Sequence, residues 1–137
     1  MRKKVLFLCT GNSCRSQMAE GLLGHINPEQ YEAFSAGIRP SVVHPKAIKV
    51  MQELGIDISN QYSKSIDEFP EDFFDIVVTV CDYAKESCPV FPGRVQRMHW
   101  SIPDPAGIIG DEEKLLESFR AVRDLIKERI EKEFGRN

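Results

Sequence analysis

The chain predicts an α/β fold, a parallel sheet with helices on both faces. Two patterns carry that expectation. Short β-branched and aliphatic runs alternate with stretches of helical periodicity, and parallel neighbours need such crossover connections, which are right-handed. The run Asp75 to Val80 (DIVVTV) is almost wholly apolar, as suits a strand covered on both faces. With 42% hydrophobic residues among 137, one core can form without disulfides or structural metal. No repeat, low-complexity tract or linker interrupts the pattern, so residues 1–137 are expected to form a single domain.

Val5 to Leu8 is a continuous aliphatic run that ends in a glycine-containing turn, and from Ser16 Met18, Leu22 and Leu23 take up helical spacing. Tyr31 to Ala36 suggests a second strand, stopped by Gly37 and Pro40. Pro45 to Leu54 reads as a second helix, with Ala47, Ile48, Met51 and Leu54 inward and Gly55 as its C-terminal cap. Asp75 to Val80 is the third strand, and Val95 to Met98 a further one. Pro103 to Gly110 reads as a loop. Asp111 to Phe134 carries the longest helical pattern, with Leu115, Leu116, Phe119, Val122, Ile126 and Ile130 as its buried stripe. Its remaining charges, with i, i+4 pairs such as Glu128 and Lys132, form a solvated face.

Acidic and basic residues nearly balance, leaving a formal net charge of -3, which gives no reason to expect a nucleic-acid or membrane partner. The apolar run after MRKK spans only Val5 to Cys9, too short for a secretory core and far short of the roughly 20 apolar residues that cross a bilayer. A cytoplasmic location is therefore expected. There thiols stay reduced, and Cys9, Cys14, Cys81 and Cys88 point to metal binding or catalysis rather than to stapling. The C-x6-C spacing of Cys81 and Cys88, without a second close pair, is poor for zinc, and His25, His44 and His99 show no ligand-like spacing. No metal is expected. His44, just before Pro45, fits a turn leading into a helix.

The segment Cys9, Thr10, Gly11, Asn12, Ser13, Cys14, Arg15, Ser16 joins the first strand to the first helix. Its backbone N–H groups can wrap a tetrahedral oxyanion at the positive end of that helix. Arg15 can fork onto two oxygens, and Gly11 and Asn12 can take the left-handed angles that a tight wrap needs. Cys9 sits at the focus of these donors, with the Ser16 hydroxyl in reach, a setting that favours a thiolate nucleophile. Cys14, inside the loop, has no chemical step assigned and can be a space-filler. Cys9 and Cys81 each directly follow a strand, which puts both on the carboxyl rim of the sheet, where ligands bind in such folds.

CTGNSCRS after VLFL resembles the low-molecular-weight tyrosine phosphatase fold, and specifically its thioredoxin-coupled arsenate reductase branch. The similarity spans nearly the whole chain. It includes QMAEG (Gln17 to Gly21), SAGI (Ser35 to Ile38), GIDIS (Gly55 to Ser59), VVTVC (Val77 to Cys81), HW (His99, Trp100) and DPAG (Asp104 to Gly107). The resemblance implies a flavodoxin-like three-layer sandwich around four parallel strands, which agrees with the element order above.

It also implies a chemistry. Cys9 attacks arsenate while Asp104 protonates the departing hydroxyl. Cys81 then attacks Cys9, and Cys88 attacks Cys81 to leave a disulfide that thioredoxin, or a similar external dithiol, reduces; no bound cofactor is implied. From the residues alone, Asp104-Pro105 reads equally as a general acid or as a turn. Two thiols becoming a disulfide release the two electrons that arsenate reduction needs, and hydrolysis of an ester needs none. DYAKES between the two later cysteines is helix-compatible, and seven residues of helix span about 10 Å. A disulfide tolerates at most about 7 Å. The segment, bounded by Pro89 and Gly93, is expected to unwind partly on oxidation.

Asn12, Glu20 and Ser35 match positions where some relatives gather oxygen ligands for a monovalent cation. Where those relatives place a further aspartate this chain has Lys64, whose ammonium is expected to take the cation's place, with no potassium requirement. The main alternative is a tyrosine phosphatase using the same Cys9, Arg15 and Asp104. Phosphatases of this group usually carry aromatic residues beside the Asp-Pro, whereas Ala106 and Gly107 stand here and suit a small inorganic oxyanion. A second alternative is a non-catalytic oxyanion sensor, which would not need Asp104. A monomer is expected.

Overall fold

The computed structural model describes residues 2–82, 84 and 95–136. Along the chain these form β1 (Lys3–Cys9), α1 (Arg15–Ile26), β2 (Tyr31–Gly37), α2 (Pro45–Gln52), a 3-10 turn (Ile66–Glu68), β3 (Ile76–Thr79), β4 (Gln96–His99) and α3 (Glu112–Phe134). Cys88 and the segment expected to unwind, Pro89 and Gly93 included, lie outside the described residues apart from Asp82 and Ala84.

The four strands make one parallel sheet in the order β2-β1-β3-β4. β1 is central and buried from Val5 to Cys9, because a strand with a neighbour on each edge and packing on each face has no side left for water. In its register Phe7 lies between Ser35 and Val78. Strand alternation sends Phe7 to one face, where its ring sits 5.9 Å from Trp100 and 6.3 Å from Phe134 at the end of α3. On the other face Phe34 meets Phe69, Phe73 and Phe74 at 5.9, 5.2 and 5.7 Å, a cluster supplied by the chain around the 3-10 turn. The architecture is the expected α/β one.

Element ends differ from the sequence reading for local reasons. α2 stops at Gln52 rather than Leu54. There Ile56 N–H reaches back to the Met51 carbonyl at 3.1 Å and Gly55 N–H to Gln52 at 2.9 Å, with Gly55 at φ 76°, the left-handed closure that glycine permits. β4 runs one residue later than expected, since Thr79 pairs with His99 and its carbonyl takes the Trp100 N–H at 2.9 Å. Asp111 is not the first residue of α3 but its cap, its carboxylate accepting from Lys114 N–H at 3.0 Å. β2 extends through Gly37, where the absence of a side chain matters: a Cβ there would lie 2.9 Å from the Thr10 carbonyl oxygen. That close approach seats the loop after β1.

Candidate active site

The loop from Cys9 to Cys14 is clamped by its carbonyls. Cys9, Thr10, Gly11 and Ser13 accept from the N–H groups of Ile38, Arg39, Ser41 and His44 at 3.2, 2.8, 3.1 and 3.1 Å. The Gly11 carbonyl also takes the Ser63 hydroxyl at 3.0 Å, Asn12 takes Gln17 Nε2 at 3.1 Å, and Cys14 takes Met18 N–H at 3.0 Å. With the carbonyls spent on the surrounding chain, the loop's N–H groups, apart from that of Asn12, which donates to the Cys9 sulfur, are the ones available to a ligand. α1 adds to them, for its N-terminus begins at Cys14 with no side-chain cap and no acidic residue in its first turn, so its positive end is unneutralised.

Asn12 is the hub of this loop. It alone among non-glycine residues described has a positive φ, 48°. Its Nδ2 donates to Ser16 Oγ at 2.8 Å, while its Oδ1 accepts from Gln17 Nε2 at 2.9 Å and from Lys64 N–H at 3.0 Å. Gly11, expected to share the left-handed geometry, does not adopt it; its carbonyl is turned out to Ser41 and Ser63, and the reversal falls on Asn12.

Two donors meet at the sulfur of Cys9. Asn12 N–H lies 3.2 Å away and Ser16 Oγ 2.8 Å away; since Ser16 Oγ accepts from Asn12 Nδ2, its own proton is free for Cys9. Cys14 is the opposite case. Burial pushes its thiol from an ordinary 9.0 up to about 11, against a weaker pull from the Ser13 hydroxyl, so it stays protonated at neutral pH, as a space-filling residue can.

Cys9, Thr10, Gly11, Ser13, Cys14, Arg15, His44, Asp104 and Ala106 line one cavity of about 250 Å³, ample room for a tetrahedral oxyanion. Arg15 is steadied by its Nη1, which donates to the Ile102 carbonyl at 2.9 Å. Asp104 accepts the Ala106 N–H on Oδ1 at 2.9 Å. It is therefore both the turn and the candidate acid, because its second oxygen has no protein partner among the described residues. Cys81, buried two residues past the end of β3, has Thr10 Oγ1 at 3.2 Å and Ala84 N–H at 3.4 Å from its sulfur. The residue after Cys9 thus touches the second thiol. Behind the loop, the Lys64 ammonium lies 3.8 Å from Glu20, which also accepts the Ser35 hydroxyl at 2.5 Å. Burial raises the Glu20 carboxyl and lowers the Lys64 ammonium relative to their usual ranges.

Several contributors escaped the sequence reading. Gln17 and Gln61 brace Asn12 from behind, with Gln61 Nε2 donating to Gln17 Oε1 at 2.7 Å; the only signal was a polar residue on the buried face of α1. His44 caps α2, as a turn residue should, but it is also in the cavity wall. His99 bridges Thr79 Oγ1 and Asp82 Oδ1 at 2.7 and 2.9 Å. Among the described residues no cluster of histidine, cysteine or carboxylate groups is disposed to hold a metal, and no helix is long and apolar enough to cross a membrane.

Comparison with known proteins agrees with this geometry. An arsenate reductase of Oceanobacillus iheyensis is 50% identical over 131 residues, covering 95% of this chain and 94% of that protein. One from Bacillus subtilis is 48% identical over 133 residues, covering 97% and 95%. A solved arsenate reductase in an oxidized state superposes with a TM-score of 0.81 at 39% identity over 95% of both chains. A tyrosine phosphatase of Erwinia amylovora, at 23% identity and a TM-score of 0.78 over 96% of this chain and 91% of that one, shares the fold. Residues 4–135 match the family described as low molecular weight phosphotyrosine protein phosphatase, and the chain belongs to that family.

Proposed function

We propose that this chain is an arsenate reductase that works through Cys9, Cys81 and Cys88 and is recycled by thioredoxin or a similar dithiol protein in the cytoplasm. The observation that carries the reading is the contact of Thr10 with the sulfur of Cys81 at 3.2 Å, which sets a second thiol beside the nucleophile's loop. Ester hydrolysis has no use for it. Relatives at 48–50% identity over most of the chain are arsenate reductases.

In this mechanism the Cys9 thiolate attacks arsenic, and the As–O bond to a hydroxyl breaks as Asp104 gives that oxygen its proton, so water leaves and an S–As bond remains. Arg15 and the loop N–H groups hold the other oxygens, an arrangement worth most where charge develops. Cys81 as thiolate next attacks the Cys9 sulfur. The S–S bond forms, the S–As bond breaks, and its electron pair stays on arsenic, which falls from the +5 to the +3 state and departs as arsenite. Cys88 attacks Cys81, the disulfide moves to Cys81 and Cys88, and Cys9 returns as thiolate. An external dithiol then reduces the disulfide.

The test is arsenate-dependent oxidation of thioredoxin. The wild type should turn over continuously, Cys88→Ser should stop after about one equivalent of arsenite, and Asp104→Asn should lose about 10²–10⁴ in rate. Full activity of Asp104→Asn would remove the acid from the mechanism, and absence of arsenite release by the wild type would remove the reading itself. Potassium and choline salts should give equal rates, because the Lys64 ammonium stands beside Glu20, the acceptor of the Ser35 hydroxyl. Slow hydrolysis of an aryl phosphate is expected alongside, since the loop and nucleophile are those of the family.

A further inference from the structure

One histidine in the cavity wall is unused by these steps. His44 is fixed from three sides: its backbone N–H donates to the Ser13 carbonyl at 3.1 Å, its Nδ1 accepts the Lys46 N–H at 3.1 Å, and its ring lies 4.8 Å from that of Phe119 on α3. A ring nitrogen that accepts a hydrogen bond carries no proton, so the neutral imidazole holds its proton on Nε2. Among the described residues that Nε2–H has no acceptor. Burial and the nearby Lys46 ammonium keep the ring's pKa below its usual value, against an opposing pull from Asp104, which makes the neutral donor the form present at neutral pH.

We infer that His44 is a further oxyanion-binding residue, its Nε2–H donating to an oxygen of the anion held in the loop, an inference that rests on reading the loop as an oxyanion cradle. Capping alone does not call for histidine. Asparagine, aspartate and serine are the preferred caps, and their short side chains serve a helix N-terminus fully. The imidazole adds a second nitrogen about 2 Å beyond the capping one, on a ring that shares the cavity with Cys9, Arg15 and Asp104. The loop itself is tied to this residue through Ser13, so the donor and the cradle keep one register.

Substitution can separate the two roles. His44→Asn keeps a good cap and loses the reach, whereas His44→Phe keeps a ring against Phe119 and loses both cap and donor. Inorganic phosphate, titrated calorimetrically into the reduced full-length protein at pH 7, should bind about tenfold more weakly to both variants than to the wild type. The melting temperature reports the structural losses separately, the cap in His44→Phe and the ring contact with Phe119 in His44→Asn. Wild-type phosphate affinity in His44→Asn would overturn the inference and leave His44 a cap. A wild type that binds no phosphate would instead sink the cradle reading and this inference with it, whether or not arsenate is reduced.

Discussion

The neighbouring strands β1 and β3 end side by side on one rim of the sheet, and the turns that follow them are built differently. After β1 each carbonyl from Cys9 to Cys14 is engaged, and the Asn12 side chain, wholly buried, ties the loop to α1 and to Lys64 through buried bonds. After β3 the bonds run through side chains, and those of Asp82 lie near water. Asp82, its side chain 73% exposed, is tethered by His99 at 2.9 Å and by Ser101 at 3.2 Å, and Cys81 itself by Thr10 and Ala84. The contrast suits the proposed division of labour. A cradle must offer the same donors in every turnover, while the second sulfur has to leave Thr10 for Cys9 and then pass its bond onward.

The largest effect should come from removing the hub. Asn12→Ala strips three buried hydrogen bonds in one change, with Ser16, Gln17 and Lys64 as the partners left short, and it asks alanine to hold φ 48°. Stranding buried polar groups costs about 1–3 kcal/mol each, and the left-handed angle about 1 kcal/mol more for alanine. A loss of at least about 3 kcal/mol in urea unfolding is expected, together with loss of phosphate binding. A loss under 1 kcal/mol would mean that the loop keeps its shape without its hub, and the contrast between the two strand ends would fail.

What the sequence disclosed follows the range of the interaction. β1, the helical stripes and the short reach from Ser16 to Cys9 depend on neighbours a few residues apart, and these were legible. So was Lys64 beside Glu20, through the resemblance. The clamp was not. Ile38, Arg39, Ser41 and His44 meet the loop only because β2 lies beside β1 in a register that ends with Cys9 opposite Gly37, and no local pattern encodes that pairing. Gly11 misled for a related reason: glycine permits a left-handed turn without requiring one, and here the bonds around Asn12 decide where the reversal falls. Gly37, read as a stop, is needed for a contact with Thr10 that lies far away in the chain.

A second effect, of intermediate size, sharpens the picture of the buried end. Cys14 has its pKa raised from an ordinary 9.0 to about 11 in the fold. An unfolded chain therefore gives up this proton first as pH rises, and the folded state loses stability from about pH 9 until the folded thiol also ionises near 11. Two units correspond to at most about 3 kcal/mol. Unfolding free energies of the wild type and Cys14→Ala, measured from pH 8 to 10.5, should converge as the wild type declines more steeply. Parallel curves would show that the Cys14 thiol is not held in a desolvated place, and that the loop's inner side is wetter than its bonds imply.

The smallest effect is expected at the other end. Asp82→Asn weakens the contacts to His99 and Ser101, yet a polar contact with one partner mostly in water contributes only about 0–1 kcal/mol, since solvent competes for it and two mobile side chains are fixed to gain it. The unfolding midpoint should shift by correspondingly little. Asn12→Ala and Asp82→Asn each disturb a comparable handful of hydrogen bonds, so a count of bonds predicts similar losses, and burial predicts very different ones. If Asp82→Asn proved as costly as Asn12→Ala, the turn after β3 would be as firmly built as the cradle. The release of Cys81 from Thr10 would then have to be driven by the chemistry at Cys9 rather than allowed by a lightly tethered turn.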